Sequence, residues 1–295
     1  MIIMATVCCS VLLLLTAVSA AVADVTLFDD AKYYGATSFT DYLTQAGLSS
    51  MLKQPGNLSL LAPVPTAFQS LPSTVNQRLK DDPSFRKNLM SYHIVTGSMV
   101  STFFNNEELL PTVAGAAVRI NKYIVKSGKE ITTMSGSPIL LSDLPCSNGM
   151  LFMMKGVIYP VPTGSAFDYL AGSDNFSTLR LAITKAGLSQ EFAAHHQTVF
   201  APSDAAFASL PPGVLDTLLD DIPRLRGVLQ THVVNSGTYY SAGLYEGLVL
   251  ESIQGKLQIG VVGLTVTVNG SNITTADTTV TNGVLHTIDS VLIQA

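Results

Sequence analysis

The chain has 295 residues, of which 47% are hydrophobic and 13% are charged, so it is long and apolar enough for two folded domains and lacks the composition of a disordered protein. Its net charge of −5 gives no basic surface, so we expect neither nucleic acid nor anionic lipid as a partner.

The first 23 residues have the pattern of a secretory signal peptide. The run "VCCSVLLLLTAVSAAVA" is apolar and ends in small residues, which favours cleavage after Ala20 or Ala23 and predicts a secreted product. A membrane anchor is the alternative, but the run is short for a span. Later stretches stay below the ~20 apolar residues of a spanning helix, so we expect no membrane span.

Cysteine use is sparse. Cys8 and Cys9 lie in the predicted signal, so the mature chain keeps Cys146 alone and forms no internal disulfide. A buried inert thiol and an intermolecular disulfide in an oxidising space are the two interpretations of Cys146.

The chain contains an internal duplication. Residues 61–95 match residues 200–234 at 13 of 35 positions, with a constant offset of 139. A period of that length is the size of a domain, so we predict two tandem domains rather than a solenoid. The predicted boundaries are 24–160 for domain one, 161–173 for a linker rich in Pro, Gly and Ser, and 174–295 for domain two.

Each domain opens with a predicted helix. "SFTDYLTQAGL" has apolar residues at helical spacing, with Ser38 as the expected N-cap and Gly47 as the terminator. "NFSTLRLAITKAGL" repeats the pattern, with Asn175 as the expected N-cap and Gly187 as the terminator. A further helix is expected to start near Pro223.

The second half of each domain favours strands. "AAVRINKYIVKSG" and "KLQIGVVGLTVTVNGSNIT" are β-branched, and both domains close with an Asn-Gly turn that leads into a β-rich run, at Asn148 and at Asn282. Helices grouped before strands predict an α+β fold rather than a parallel α/β sheet.

Three motifs in this order resemble those of the fasciclin domain: "TVFAPSDAAF" from Thr198, "YHIVTG" or "HVVNSG" at the end of the helical half, and "NGVLHTID" from Asn282. The resemblance covers almost all of the mature chain as two domains, and it implies a helical half packed on a β-rich half. Domain one departs from it, with Val64-Pro65 in the first motif and "NGMLFMMKG" in the last. The structural signature residues are Phe200, Pro202, Ser203, Phe207, His232, Asn282, Gly283, His286 and Asp289.

The sequence predicts no enzyme, cofactor or metal site. Ser203-Asp204 has no nucleophile-elbow motif around it and is interpreted as a helix cap. His93 and His232 recur at matched positions where a helix meets a β-rich run, which favours buried, hydrogen-bonded histidines over a catalytic base.

The resemblance implies a secreted adhesion or matrix glycoprotein that binds integrin-like cell-surface receptors or matrix proteins. In the family, receptor recognition has been placed on an Asp-aliphatic pair before the last motif, which matches Asp143-Leu144 here and only the acid, Asp277, in domain two. The Tyr-His pair, Tyr92-His93, has also been linked to receptors. A turn Asp and a core Tyr-His are the structural alternatives.

Two other functions stay open: carriage of a hydrophobic ligand, and a structural part in a mineralised or cuticular matrix. Secretion also predicts N-glycosylation, because four Asn-x-Ser/Thr triplets are present. The acceptors are Asn57, Asn175, Asn269 and Asn272.

Overall fold

A computed structural model describes residues 25–293, so the predicted signal peptide and the last two residues lie outside the described part. The chain forms two compact units. The first contains the chain through Phe104 with Leu110–Gly115 and Ile139–Val157; the second contains Asn105–Leu109, Ala116–Pro138 and the chain from Ile158 onward. Within residues 25–293, no helix is long and apolar enough to cross a membrane.

The first repeat runs from helices into strands, as the sequence predicts. Its helices are α1 (Leu27–Tyr33), α2 (Thr37–Gln45), α3 (Pro65–Gln69), α4 (Ser73–Asp81) and α5 (Pro83–Tyr92), with a 3₁₀ turn at Ser101–Phe103. Its strands are β1 (Leu58–Pro63), β2 (Ile94–Thr96), β3 (Leu109–Pro111), β4 (Ala117–Ile124), β5 (Glu130–Met134), β6 (Ser137–Cys146) and β7 (Gly149–Met154).

The second repeat has the same order of elements. Its helices are α6 (Ala166–Ala171), α7 (Ser177–Ala186), α8 (Asp204–Ala208), α9 (Val214–Asp220) and α10 (Ile222–Thr231), with 3₁₀ turns at Asp174–Phe176 and Ser241–Gly243. Its strands are β8 (Gln197–Pro202), β9 (Val233–Val234), β10 (Val249–Glu251), β11 (Lys256–Val262), β12 (Thr265–Val268), β13 (Ser271–Val280) and β14 (Gly283–Ile288).

Each repeat builds one seven-stranded sheet with the same topology. The order is β2-β1-β7-β6-β5-β4-β3 in the first repeat and β10-β11-β12-β13-β14-β8-β9 in the second. The strand of the first motif pairs in parallel with the strand of the last motif, β1 with β7 and β8 with β14. The other ladders are antiparallel, which makes the mixed α+β architecture that the sequence predicts.

The motif strands form the centre of the core. All six residues of β8 and of β14 are buried. Because successive side chains alternate between the faces of a strand, Val199 and Ala201 pack in the cluster formed with the helices, whereas Phe200 packs with residues of the outer strands. The motif that begins at Thr198 is therefore a buried strand followed by a turn and a helix.

The predicted linker contains a helix. Within residues 161–173, α6 begins with a capping box between Ser165 and Asp168, and its Ala166 and Leu170 belong to the core of the second unit. A helix that supplies core residues is part of the folded second unit. Helix α1 occupies the matching place in the first repeat.

Two expected N-caps are wrong. Ser38 lies inside α2, whose N-cap Ala36 makes no side-chain bond, and Asn175 lies in a 3₁₀ turn before α7. Helix α7 is capped from a distant residue, because the Asp204 carboxylate accepts hydrogen bonds from the backbone N–H groups of residues 177 and 178. The predicted terminator Gly187 does end α7 in the left-handed conformation.

Candidate functional site

The Asn-Gly turn of the first repeat ties three segments together. Asn148 is buried; its side-chain oxygen accepts from the backbone N–H of Leu27 at 2.8 Å, and its amide donates to the carbonyls of Leu52 and Gln54 at 2.8 and 2.9 Å. A Cβ on Gly149 would lie 1.9 Å from the Leu58 carbonyl oxygen, so only glycine fits there.

The second repeat reproduces this arrangement. Asn282 is buried; its oxygen accepts from Ala166 N–H at 2.8 Å, and its amide donates to the carbonyls of Phe192 and Ala194 at 3.1 and 2.7 Å. A Cβ on Gly283 would lie 1.9 Å from a backbone oxygen of β8. The repeated Asn-Gly therefore joins the first helix, the loop before the motif strand and the last hairpin.

Asp143 lies on an irregular part of β6 and is partly exposed. Its backbone has φ of 58°, and its carboxylate accepts hydrogen bonds from the backbone N–H of Ser101 at 2.7 Å and from the hydroxyl of Ser101. Burial alone would raise the pKa of Asp143, but the bonds from Ser101 outweigh it, so its pKa lies below the usual value. Leu144 is half-buried beside it.

Asp277 has the same geometry in the second repeat. Its φ is 63°, and its carboxylate accepts from the backbone N–H of Ser241 at 2.7 Å and from the hydroxyl of Ser241. The residue after it, Thr278, is buried, whereas Leu144 is not. Both acids thus hold a 3₁₀ turn, but an aliphatic neighbour reaches the surface only in the first repeat.

The repeated histidines are core residues. His93 and His232 are at most 1% exposed, and each donates from Nδ1 to a backbone carbonyl one helical turn earlier, at 2.9 and 2.7 Å. Burial lowers the pKa of both to about 4, so they are neutral at pH 7. Tyr92 is also fully buried, so a partner would reach Tyr92-His93 only if the fold opened locally.

His286 is buried next to Asp277, which lies on the irregular part of β13. Its Nδ1 accepts the backbone N–H of Asp277 at 3.3 Å, and its Nε2 donates to the Tyr239 carbonyl at 2.8 Å. Burial lowers its pKa, against the opposing charge of Asp277. Asp289 accepts hydrogen bonds from the backbone and side chain of Asn272. Both signature residues, His286 and Asp289, therefore hold neighbouring backbone segments in place through hydrogen bonds. The first repeat has Phe152 in place of His286.

A buried ion pair that the sequence analysis missed lies in the second unit. Arg119 is 3% exposed and contacts the Glu107 carboxylate at 2.9 Å. Glu107 also accepts from Asn121 at 2.9 Å and from the backbone N–H of Thr238 at 2.7 Å, while Arg119 donates to the Thr281 carbonyl at 3.1 Å. Arg119 and Asn121 stand two apart on β4, a spacing that could have shown a shared polar face.

Three of the four predicted glycosylation acceptors have a side chain that makes a hydrogen bond within the protein. All four are exposed. The Asn269 amide donates to the Lys256 carbonyl at 3.3 Å, the Asn272 amide donates to Asp289 at 2.6 Å, and the Asn57 oxygen accepts from the Ser98 N–H at 2.7 Å. An oligosaccharide on Asn269 or Asn272 would have to keep or replace those amide bonds.

The thiol of Cys146 is half-buried and donates to the Asp30 carboxylate at 3.3 Å. Burial, together with that carboxylate, raises the pKa of Cys146 to about 12. The thiolate that forms disulfides is therefore scarce at neutral pH. Within residues 25–293, no group of three or more His, Cys, Asp or Glu side chains could hold a metal ion.

Comparison with known proteins shows the family to which these two repeats belong. The Fasciclin domain family model matches residues 35–160 and 174–294. Transforming growth factor-beta-induced protein ig-h3 of Sus scrofa is 33% identical over 269 residues, covering 90% of this chain and 37% of that protein. Human periostin is 26% identical over 263 residues, covering 88% of this chain and 31% of that protein.

The chain spans about a third of the length of those two relatives. Among solved structures, a FAS1 domain pair from the insect cell adhesion molecule Fasciclin I matches with a TM-score of 0.45 and 18% identity. That match covers 89% of this chain and 98% of the other.

Proposed function

Because the chain belongs to the fasciclin domain family, we propose that it is a secreted adhesion or matrix glycoprotein that binds cell-surface receptors or matrix components. The family supplies modules of adhesion and matrix proteins, and two such modules on one chain gain avidity when both engage. The exposure of all four glycosylation acceptors and the apolar N-terminal run support an extracellular location.

The receptor contact that the geometry supports best is Asp143-Leu144. An ionised carboxylate offers about four acceptor positions, and Ser101 takes two of them, so Asp143 keeps the capacity to bind a receptor-held divalent cation. Leu144 is partly exposed beside it and can pack on the receptor. This pairing of an available acid with an accessible aliphatic side chain is the observation that carries the site.

The matched residue Asp277 provides the control. Purified protein is coated on plastic, and attachment of receptor-bearing cells is compared for the wild type, Asp143→Asn and Asp277→Asn, with and without a divalent-metal chelator. The Asn side chain keeps an oxygen that accepts from the N–H of Ser101 in the first variant and from that of Ser241 in the second. Both variants should therefore fold. We expect Asp143→Asn and chelation to abolish attachment and Asp277→Asn to keep it; equal attachment by both variants would remove this site.

A cavity in the second unit does not favour carriage of a hydrophobic ligand. It has a volume of about 340 Å³ and is open to solvent along Asn269–Ser271 and Ser290–Ile293, a largely polar and backbone wall. Sites for apolar ligands are enclosed and mostly apolar. This cavity therefore does not support the carrier alternative.

A further inference from the structure

Two buried polar side chains lie opposite each other on strands β4 and β5 of the second unit. Asn121 and Thr133 are direct partners in the antiparallel register, and both are 0% exposed. Direct partners point to the same face of a sheet, with Cβ atoms about 4.5–5.5 Å apart. Their polar ends therefore share one small region.

The orientation of the Asn121 amide is determined by its neighbours. Its nitrogen donates to the Glu107 carboxylate at 2.9 Å and to the Thr238 carbonyl at 3.2 Å. Reversing the amide would place its oxygen against two acceptors, so Oδ1 faces away from them. Oδ1 of Asn121 and Oγ1 of Thr133 have no hydrogen-bond partner among residues 25–293.

An unsatisfied buried polar atom lowers the folding equilibrium constant by roughly five- to a hundredfold. Two such atoms side by side would therefore destabilise the second unit strongly. The two oxygens make no direct hydrogen bond to each other, and the strand spacing lets one small molecule touch both. The group required donates one hydrogen to Oδ1 of Asn121 and accepts the hydrogen of the Thr133 hydroxyl. It carries no charge, because the nearby Arg119 already has its carboxylate partner.

We propose that a single water molecule is bound at this place, accepting the hydrogen of the Thr133 hydroxyl and donating one of its own to Oδ1 of Asn121. It completes the polar layer that begins with Glu107 and is an integral part of the second unit. Buried waters with two or more polar partners are costly to remove.

The sign of a stability change tests the water. Thr133→Val removes the hydroxyl while keeping the shape. With the water bound, the variant leaves it one partner short, and the unfolding equilibrium constant from urea titration should rise about three- to tenfold. Without it, the variant deletes an unsatisfied hydroxyl and the constant should fall. The control is Thr198→Val, whose buried hydroxyl bonds the Gly237 carbonyl at 2.9 Å and must destabilise in either case.

Crystallography of the wild-type protein gives a second, independent readout should Thr133→Val fail to fold. The proposal expects density for one water within hydrogen-bond distance of both oxygens. A dry site, or a rotated Thr133 that bonds directly to Asn121, would overturn it. Thr133→Ser should retain the density, because the hydroxyl remains.

Discussion

Replacement of Asp204 by Ala should destabilise the second unit by uncapping a helix that is remote in sequence. The carboxylate accepts from the backbone N–H of Ser177 at 3.0 Å, from that of Thr178 at 2.8 Å, and from the Ser177 hydroxyl at 2.7 Å. Loss of an N-cap costs about 1 kcal/mol, and loss of a negative charge at a helix N-terminus costs up to about 1 kcal/mol more. We expect a loss of about 2 kcal/mol, or a melting temperature lower by about 5 °C.

Urea unfolding and hydrogen exchange together check this prediction. Exchange should accelerate first in the N-terminal turn of α7, because its own N-cap residue, Phe176, makes no side-chain bond. The control is Asp216→Ala, an exposed acid in the first turn of α9, which should change stability by less than about 0.5 kcal/mol. The capping role of Asp204 is refuted if Asp204→Ala and Asp216→Ala change stability equally, or if exchange accelerates outside the N-terminal turn of α7.

Three further outcomes are expected. Asn282→Asp puts a carboxylate against two carbonyl oxygens, so it should cost about 3–5 kcal/mol in urea titration, and a loss below about 1 would contradict the locking role. Glu107→Gln leaves Arg119 buried without a counter-charge and should cost about 3 kcal/mol, with exchange faster in the second unit; unchanged exchange there would refute the assignment. His93 and His232 have folded pKa values of about 4 against 6.5 unfolded, so the unfolded state binds more protons between these values. The stabilisation that these neutral histidines provide above pH 6.5 should therefore be lost as pH drops toward 4, and the free energy of unfolding should be lower by about 2 kcal/mol per histidine at pH 5. Equal urea midpoints at pH 7 and pH 5 would contradict this prediction.

Local patterns predicted much of the fold. The duplication, the helix start near Pro223 and the end of α7 at Gly187 follow from residues close together in the chain. Glycine in the left-handed conformation and proline in the first helical turn act within a few residues, so sequence spacing is enough to identify them.

Several contacts that stabilise the second unit join residues far apart in the sequence. Asp204 caps a helix that begins 27 positions earlier, and Glu107 meets Thr238 across 131 positions. The composition of residues 161–173, rich in Pro, Gly and Ser, predicts a linker, although "SAFD" from Ser165 follows "TLFD" from Thr26 at the same offset of 139. This upstream continuation of the repeat is the signal in the sequence for α6.

Two helices of the first repeat lack side-chain caps because this repeat departs from the first motif, whereas α1 and α5 are capped by Thr26 and Asp82. Val64 and Pro65 stand where Ser203 and Asp204 cap α8 and α7, and neither α3 nor α2 receives a side-chain cap. Pro65 occupies the start of α3. The first repeat therefore relies more on packing, which we expect to make it the less stable of the two.

Residues that maintain the fold are distinct from residues that bind a partner, and the most direct test measures stability and binding on the same variants. Receptor affinity and unfolding free energy are determined for Asn282→Ala and for Asp143→Asn. We expect Asn282→Ala to lower stability while the folded fraction keeps its affinity, and Asp143→Asn to lose affinity at unchanged stability. Lost affinity in folded Asn282→Ala, or full affinity in Asp143→Asn, would contradict the account.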